Sequence, residues 1–167
     1  MWLLTKDGDP TARALYGRHY TYRKSRDQMS LWWWKNRNYV HFVGPGEKMV
    51  LLTPDGLALF VWRKFRSMDN QTGVNCAVFR NEGPQLSSEL IAAADALAWE
   101  RWPGERLYTY VDAQKTRRKR DPGRCFIRAG WQNCGITKGG LHILECLPGT
   151  ANARPTEAGT HAGGKKE

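Results

Sequence analysis

"VNCAVFRNEGPQLSSELIAAADALAWERWPGERLYTYVD", residues 74–112, decides the fold. It begins as an apolar strand, turns at Gly83-Pro84, runs into a helix opened by Ser87 and Ser88, and ends in a second strand. The helix carries Leu90, Ile91, Ala94, Leu97 and Ala98 on one stripe, with Glu89, Asp95 and Glu100 elsewhere, and Pro103-Gly104 ends it. Strand, covering helix, strand is the order that parallel pairing requires, because parallel neighbours need a long crossover.

Working outward, "EKMVLLTPDGLALFVWRKF", from Glu47, reads as a hairpin turned at Pro54-Asp55-Gly56. "WLLTK" at the N-terminus reads as a strand, and Asp9-Pro10 as the cap and first residue of a helix over 10–24. A second helical piece covers "RDQMSLWWWKN", whose three tryptophans, Trp32, Trp33 and Trp34, cannot share one face. They are core and rim packing or a stacking platform for bases. After "RLYTYV" come a basic loop, a short helix "RCFIRAG", and a closing pair, "WQNCGIT" and "LHILECL", turned at Gly139-Gly140. The expected architecture is an α/β domain over residues 1–147. Its mixed sheet is antiparallel in the N-terminal half and partly parallel in the C-terminal half, with flanking helices. Residues 148–167, rich in Ala, Gly, Thr, Pro and Lys, read as a disordered tail.

Composition narrows the function classes. The chain has 167 residues, 26 Lys and Arg against 16 Asp and Glu, and a formal charge of +10, which favours polyanions such as nucleic acid or a CoA-like cofactor. No run approaches the roughly 18 apolar residues of a membrane span, and the N-terminus does not read as a signal peptide. The expected compartment is the cytoplasm of a bacterial or phage-infected cell. Cys76, Cys125, Cys134 and Cys146 show no metal-ligand spacing, the four histidines are scattered, and no metal is expected.

The junction between the first strand and its helix is the candidate binding site. A helix N-terminus leaves about four backbone N–H groups without intrahelical partners and favours negative charge. Ser87 and Ser88 add hydroxyls, Arg80 a cation, and Gly83 a close backbone approach. This suits a phosphate or pyrophosphate, although ordinary serine capping explains the same residues.

The motifs resemble those of the GNAT superfamily of acyl-CoA-dependent N-acyltransferases, over roughly Lys48 to Leu147. "RNEGPQ" is similar to the family's pyrophosphate loop, with Arg80 and Gly83 in register and Gln85 where a small residue is usual. "CFIRAGWQNCG" is similar to its helix-to-strand corner, with Gly130-Trp131 as the Gly-aromatic step. The resemblance implies acetyl-CoA or another acyl-CoA as cofactor, held by Phe79, Arg80, Gly83, Gln85, Ser87 and Ser88, and an amine acceptor. The tyrosine acid common in the family is replaced by Phe126, and Tyr108, Tyr110 and Cys125 are candidate substitutes. Asp112, at a strand's carboxyl end, and Glu82 are candidate bases. Similarity of "YVD" and "AGW" to the Mom-like branch of phage DNA-modification proteins implies a DNA or RNA base as acceptor. Lys115, Arg117, Arg118, Lys119, Arg120 and Arg124 would hold a phosphate backbone; the alternatives are a solvated face or a site for a CoA phosphate. A basic, non-catalytic nucleic-acid-binding domain of the same fold is the competing reading.

Overall fold

The computed structural model describes residues 1–22, 41–116 and 121–149. The second helical piece with Trp32 to Trp34, the cations Arg117 to Arg120 and the tail from residue 150 lie outside the described residues.

Among the described residues ten elements follow one another: β1 (Leu3–Thr5), α1 (Pro10–Arg18), β2 (Glu47–Leu52), β3 (Ala58–Lys64), β4 (Val74–Asn81), α2 (Ser87–Arg101), β5 (Leu107–Val111), α3 (Arg124–Arg128), β6 (Gln132–Ile136) and β7 (His142–Cys146). Seven strands form one mixed sheet in the order β1-β2-β3-β4-β5-β7-β6. The pairs from β1 to β4 are antiparallel, and β4 with β5 is parallel. The second crossover gives no adjacent parallel pair. β7 folds back antiparallel between β5 and β6, so β6 runs in the direction of β5 without touching it.

Both faces of the sheet are covered, which is why "ALFVW" in β3 is apolar without alternation. Ala58, Phe60 and Trp62 face α2, while Leu59 and Val61 face α1. Tryptophans fasten α2 to the sheet. The indole N–H of Trp62 donates to the Ala94 carbonyl at 3.1 Å, and that of Trp2 to the Leu90 carbonyl at 2.8 Å. Each ring thus buries a large apolar area without leaving its N–H unpaired.

Three local expectations are corrected. The first helix stops at Arg18, because His19 takes an extended conformation (φ −76°, ψ 143°), and the His19 side chain is buried. Asp95 is not on the polar side of α2; it is buried, accepting from the Trp131 indole at 2.8 Å. Neither serine caps α2: the cap is Leu86, and no side chain bonds the cap position.

Candidate active site

β4 and β5 part company half-way along. They pair at Val74–Leu107, Asn75–Tyr108 and Cys76–Thr109, and both strands then continue without pairing. Two features open the wedge. On its other edge β4 carries an extra residue, because Val61 pairs with Val78 and Trp62 with Cys76, leaving Ala77 as a bulge that bends the strand. At the apex the Thr109 hydroxyl donates to the Cys76 carbonyl at 3.0 Å, adding a side-chain bond at the last paired level. The Cys76 thiol sits at this apex, and burial pushes its pKa up, so it stays protonated.

The wedge opens into a cleft of about 730 Å³. Its walls are Asn75 to Ala77 and Phe79 of β4, Leu86 to Ser88 at the start of α2, Thr109 to Val111 of β5, and Gly123 to Phe126 around α3. Across its mouth lies the segment His19 to Thr21.

At one end, the Ser87 and Ser88 backbone N–H groups have no acceptor among the described residues, as the first turn of a helix dictates. The loop before them is braced by Asn81. Its side-chain oxygen accepts from Gly83 N–H at 2.9 Å, and its amide donates to the Gln85 carbonyl (2.7 Å) and to Ser87 Oγ (3.1 Å).

The sequence-derived cofactor residues divide into two groups. Phe79, Ser87 and Ser88 line the cleft; Arg80, Gly83 and Gln85 do not. Arg80 points to the α1 face, donating to Glu82 at 2.6 Å and to the Arg18 carbonyl at 2.7 Å. Gly83 packs against the hairpin, where an added Cβ would lie 3.2 Å from Leu57 Cβ. Gln85 is exposed.

The catalytic candidates also separate. Glu82 accepts both guanidinium donors of Arg18, at 2.8 and 2.7 Å, and these bonds with Arg80 hold its pKa down at about 2. Asp112 turns its carboxylate into the following loop, accepting from Gln114 N–H at 3.0 Å, and is not part of the cleft wall. Tyr110 is part of the wall, yet its hydroxyl donates away from it to Asp69 at 2.7 Å, and burial with this bond raises its pKa. Cys125 lines the cleft with its thiol pKa raised by burial; Tyr108 is buried on the opposite face of the sheet from α2. Phe126 is a core aromatic, packed edge-on against Phe79 and Trp131. Of the basic group, Arg124 lines the cleft, paired with Asp121 at 2.8 Å, and Lys115 is exposed on the loop after β5.

Two cleft residues escaped the sequence reading. The buried His19 ring accepts from Thr21 N–H at Nδ1 and faces the Phe79 backbone of β4. Burial, with the Arg80 charge, lowers its pKa to about 4, so it is neutral near pH 7. Beside it, with ring centroids 4.4 Å apart, the Tyr20 hydroxyl lies near the backbone of Asp112, just past the end of β5. One short segment therefore touches both parted strands. The only forewarning was chemical type: "HYTY" puts four hydrogen-bonding side chains where an amphipathic helix would continue.

No protein-family model matches the chain, and no curated protein matches it. Among solved structures, it is similar to a crystal structure described as that of a phosphinothricin N-acetyltransferase, with TM-score 0.51 and 13% identity over 88% of this chain and 97% of that one. That likeness shows the fold. It is the GNAT fold, with its sheet split between β4 and β5. Among the described residues, no helix is long and apolar enough to cross a membrane, and no group of His, Cys, Asp and Glu could hold a metal ion.

Proposed function

We propose that this GNAT-fold protein transfers an acyl group from acetyl-CoA or another acyl-CoA to an amine, with the cleft between β4 and β5 as the thioester site. The observation that carries this reading is the wedge itself: strand pairing ends at Cys76 and Thr109, and the space beyond is walled by a helix N-terminus with free N–H groups. The donor set fits the cofactor. Ser87 and Ser88 N–H groups suit phosphate oxygens, and Arg128, without a carboxylate partner among the described residues, adds a cation to the same wall. Bound acyl-CoA would supply an activated carbonyl carbon.

The chain's own contribution is positioning and proton control. The wedge exposes β4 backbone to the cleft, where an N–H can stabilise charge that develops on an acyl oxygen. Phe79 and Phe126 keep the inner wall apolar and exclude water. Because Phe126 carries no proton, Tyr20 takes the place of the acid: its hydroxyl lies near the Asp112 backbone, and its burial keeps it protonated at neutral pH. The Asp112 carboxylate turns into the following loop and Glu82 is held by Arg18 and Arg80 outside the cleft wall, so an ordered water is the better route for the amine's proton. The finer assignment, with a DNA or RNA base as acceptor, rests on the +10 charge and on cations at Lys115 and beyond.

Calorimetry with acetyl-CoA and CoA tests the cofactor, and nucleoside mass spectrometry of DNA from expressing cells tests the acceptor. Heat of binding that is lost on Ser88→Pro, in a variant with an unchanged melting temperature, supports the thioester site. A second reading, the non-catalytic nucleic-acid-binding domain, is favoured by one observation, the core position of Phe126; absence of any acetyl-CoA heat, together with oligonucleotide binding, would establish it.

A further inference from the structure

A second cleft, about 920 Å³, lies under the β6–β7 turn and the loop between β3 and β4, with Tyr108 and Tyr110 in its wall. It touches the first cleft at Asn75, Tyr110 and Leu141, which line both.

It gathers three cations, Arg63, Arg66 and Lys138, against one carboxylate. Several cations are matched by carboxylates: Lys48 with Asp7, Lys64 with Glu105, Arg106 with Glu145, and Arg18 and Arg80 with Glu82. Around this cleft Arg63, Arg66 and Lys138 have no carboxylate partner among the described residues. Arg63 is half-buried, donating to the Pro45 carbonyl at 2.7 Å and lying 4.4 Å over the Phe65 ring. Its burial lowers its pKa, opposed only by the weaker effect of the Tyr108 hydroxyl and by no carboxylate. A partly buried guanidinium without a counter-ion is costly unless an anion arrives.

Apolar groups complete the lining. Phe65 is 45% exposed and Ile136 63%, both far more than such side chains usually are in a cleft wall. The single carboxylate, Asp69, already accepts from Ser67 Oγ (2.5 Å) and Tyr110 (2.7 Å), which fixes it in place. Its remaining lone pairs can accept from an N–H on a flat, polar ring. Cations for a phosphate, an exposed aromatic ring for stacking, and a fixed acceptor for ring or exocyclic N–H groups describe a single ligand chemistry.

We propose that the second cleft binds a nucleoside phosphate, with the phosphate at Arg63, Arg66 and Lys138 and the base against Phe65 and Asp69. The source is a free nucleotide or one unit of a single strand, and the site stands apart from whether the first cleft carries acyl transfer.

The test is fluorescence anisotropy of the full chain with a labelled single strand of about eight nucleotides, alongside a nucleoside monophosphate as competitor. Arg66→Gln with Lys138→Gln, both at exposed positions, is expected to weaken binding about tenfold and to reduce the log–log salt slope by about 1.4. Phe65→Ala is expected to weaken binding while leaving that slope unchanged. Competition by the monophosphate identifies a free nucleotide as sufficient; binding of the strand alone identifies the polymer. Photo-crosslinks are expected within residues 63–71 and 136–143. Equal binding by the double variant and the parent, or crosslinks confined to 115–128, would overturn the proposal.

Discussion

Thr109 donates its hydroxyl to the Cys76 carbonyl at the last level where β4 and β5 pair. Both residues are buried, so the hydroxyl adds a hydrogen bond to that carbonyl out of reach of solvent. Replacing it with a shape-matched methyl in Thr109→Val removes this buried hydrogen bond, at a cost of about 0.5–1.5 kcal/mol. Urea denaturation should show the lower midpoint with an unchanged slope. If the apex also sets the wedge, acetyl-CoA binding should weaken in the same variant.

Gly123 makes a second, steric prediction. It caps α3 with φ +75°, and a Cβ there would sit 2.3 Å from Leu144 Cδ1 and 3.3 Å from Val111 Cγ2. The left-handed backbone and the overpacked core penalise Gly123→Ala together, by about 2–4 kcal/mol. Thermal melts should reveal it. Gly130→Ala shares a positive φ (96°) but meets nothing within 4 Å, so it should cost only the backbone part.

The element order was legible in the sequence because each signal was local. Pro54-Asp55-Gly56 turned a hairpin, the 3.6-residue stripe of α2 marked a helix, and Gly139-Gly140 closed the last pair. The site was half legible for the same reason. Ser87 and Ser88 sit where a helix start must sit, and Phe79 follows from strand alternation. What stayed hidden depends on contacts distant in sequence. Arg80 and Gly83 match a motif letter by letter, yet Arg80 is drawn to Glu82 and Arg18, across 62 residues, and Gly83 is seated on the hairpin. Asp95 misled for a related reason: its partner, the Trp131 indole, arrives from 36 residues away.

That buried carboxylate yields a pH prediction. Burial raises the Asp95 pKa from 3.8 to about 7, against the lowering effect of the Trp131 bond, and its second oxygen has no partner among the described residues. The folded state thus holds this proton more tightly than the unfolded chain does. Its stabilising effect is full below about pH 4 and is lost as pH rises through 7, on the order of 4 kcal/mol across the window as an upper bound. Asp95→Asn keeps an acceptor for the Trp131 indole and removes the titration. Urea midpoints measured from acid to mildly alkaline pH should fall for the parent and stay flatter for the variant, which should be the more stable of the two near pH 8.

Tyr20 and Tyr110 both line the first cleft, and their hydroxyls are committed differently. Tyr110 gives its proton to Asp69 in the second cleft, so it has none to offer in the first. The Tyr20 hydroxyl lies near the Asp112 backbone, and no side chain among the described residues takes its proton. If acyl transfer needs an acid at the wedge, Tyr20→Phe should lower kcat by about 10²-fold or more with little change in KM for the acyl-CoA. Tyr110→Phe should leave kcat within a few-fold and act on acceptor binding instead. The alkaline limb of the kcat profile should move only in the Tyr20 variant. Equal losses of kcat in both variants would show that the aromatic wall, rather than one hydroxyl, matters to the reaction.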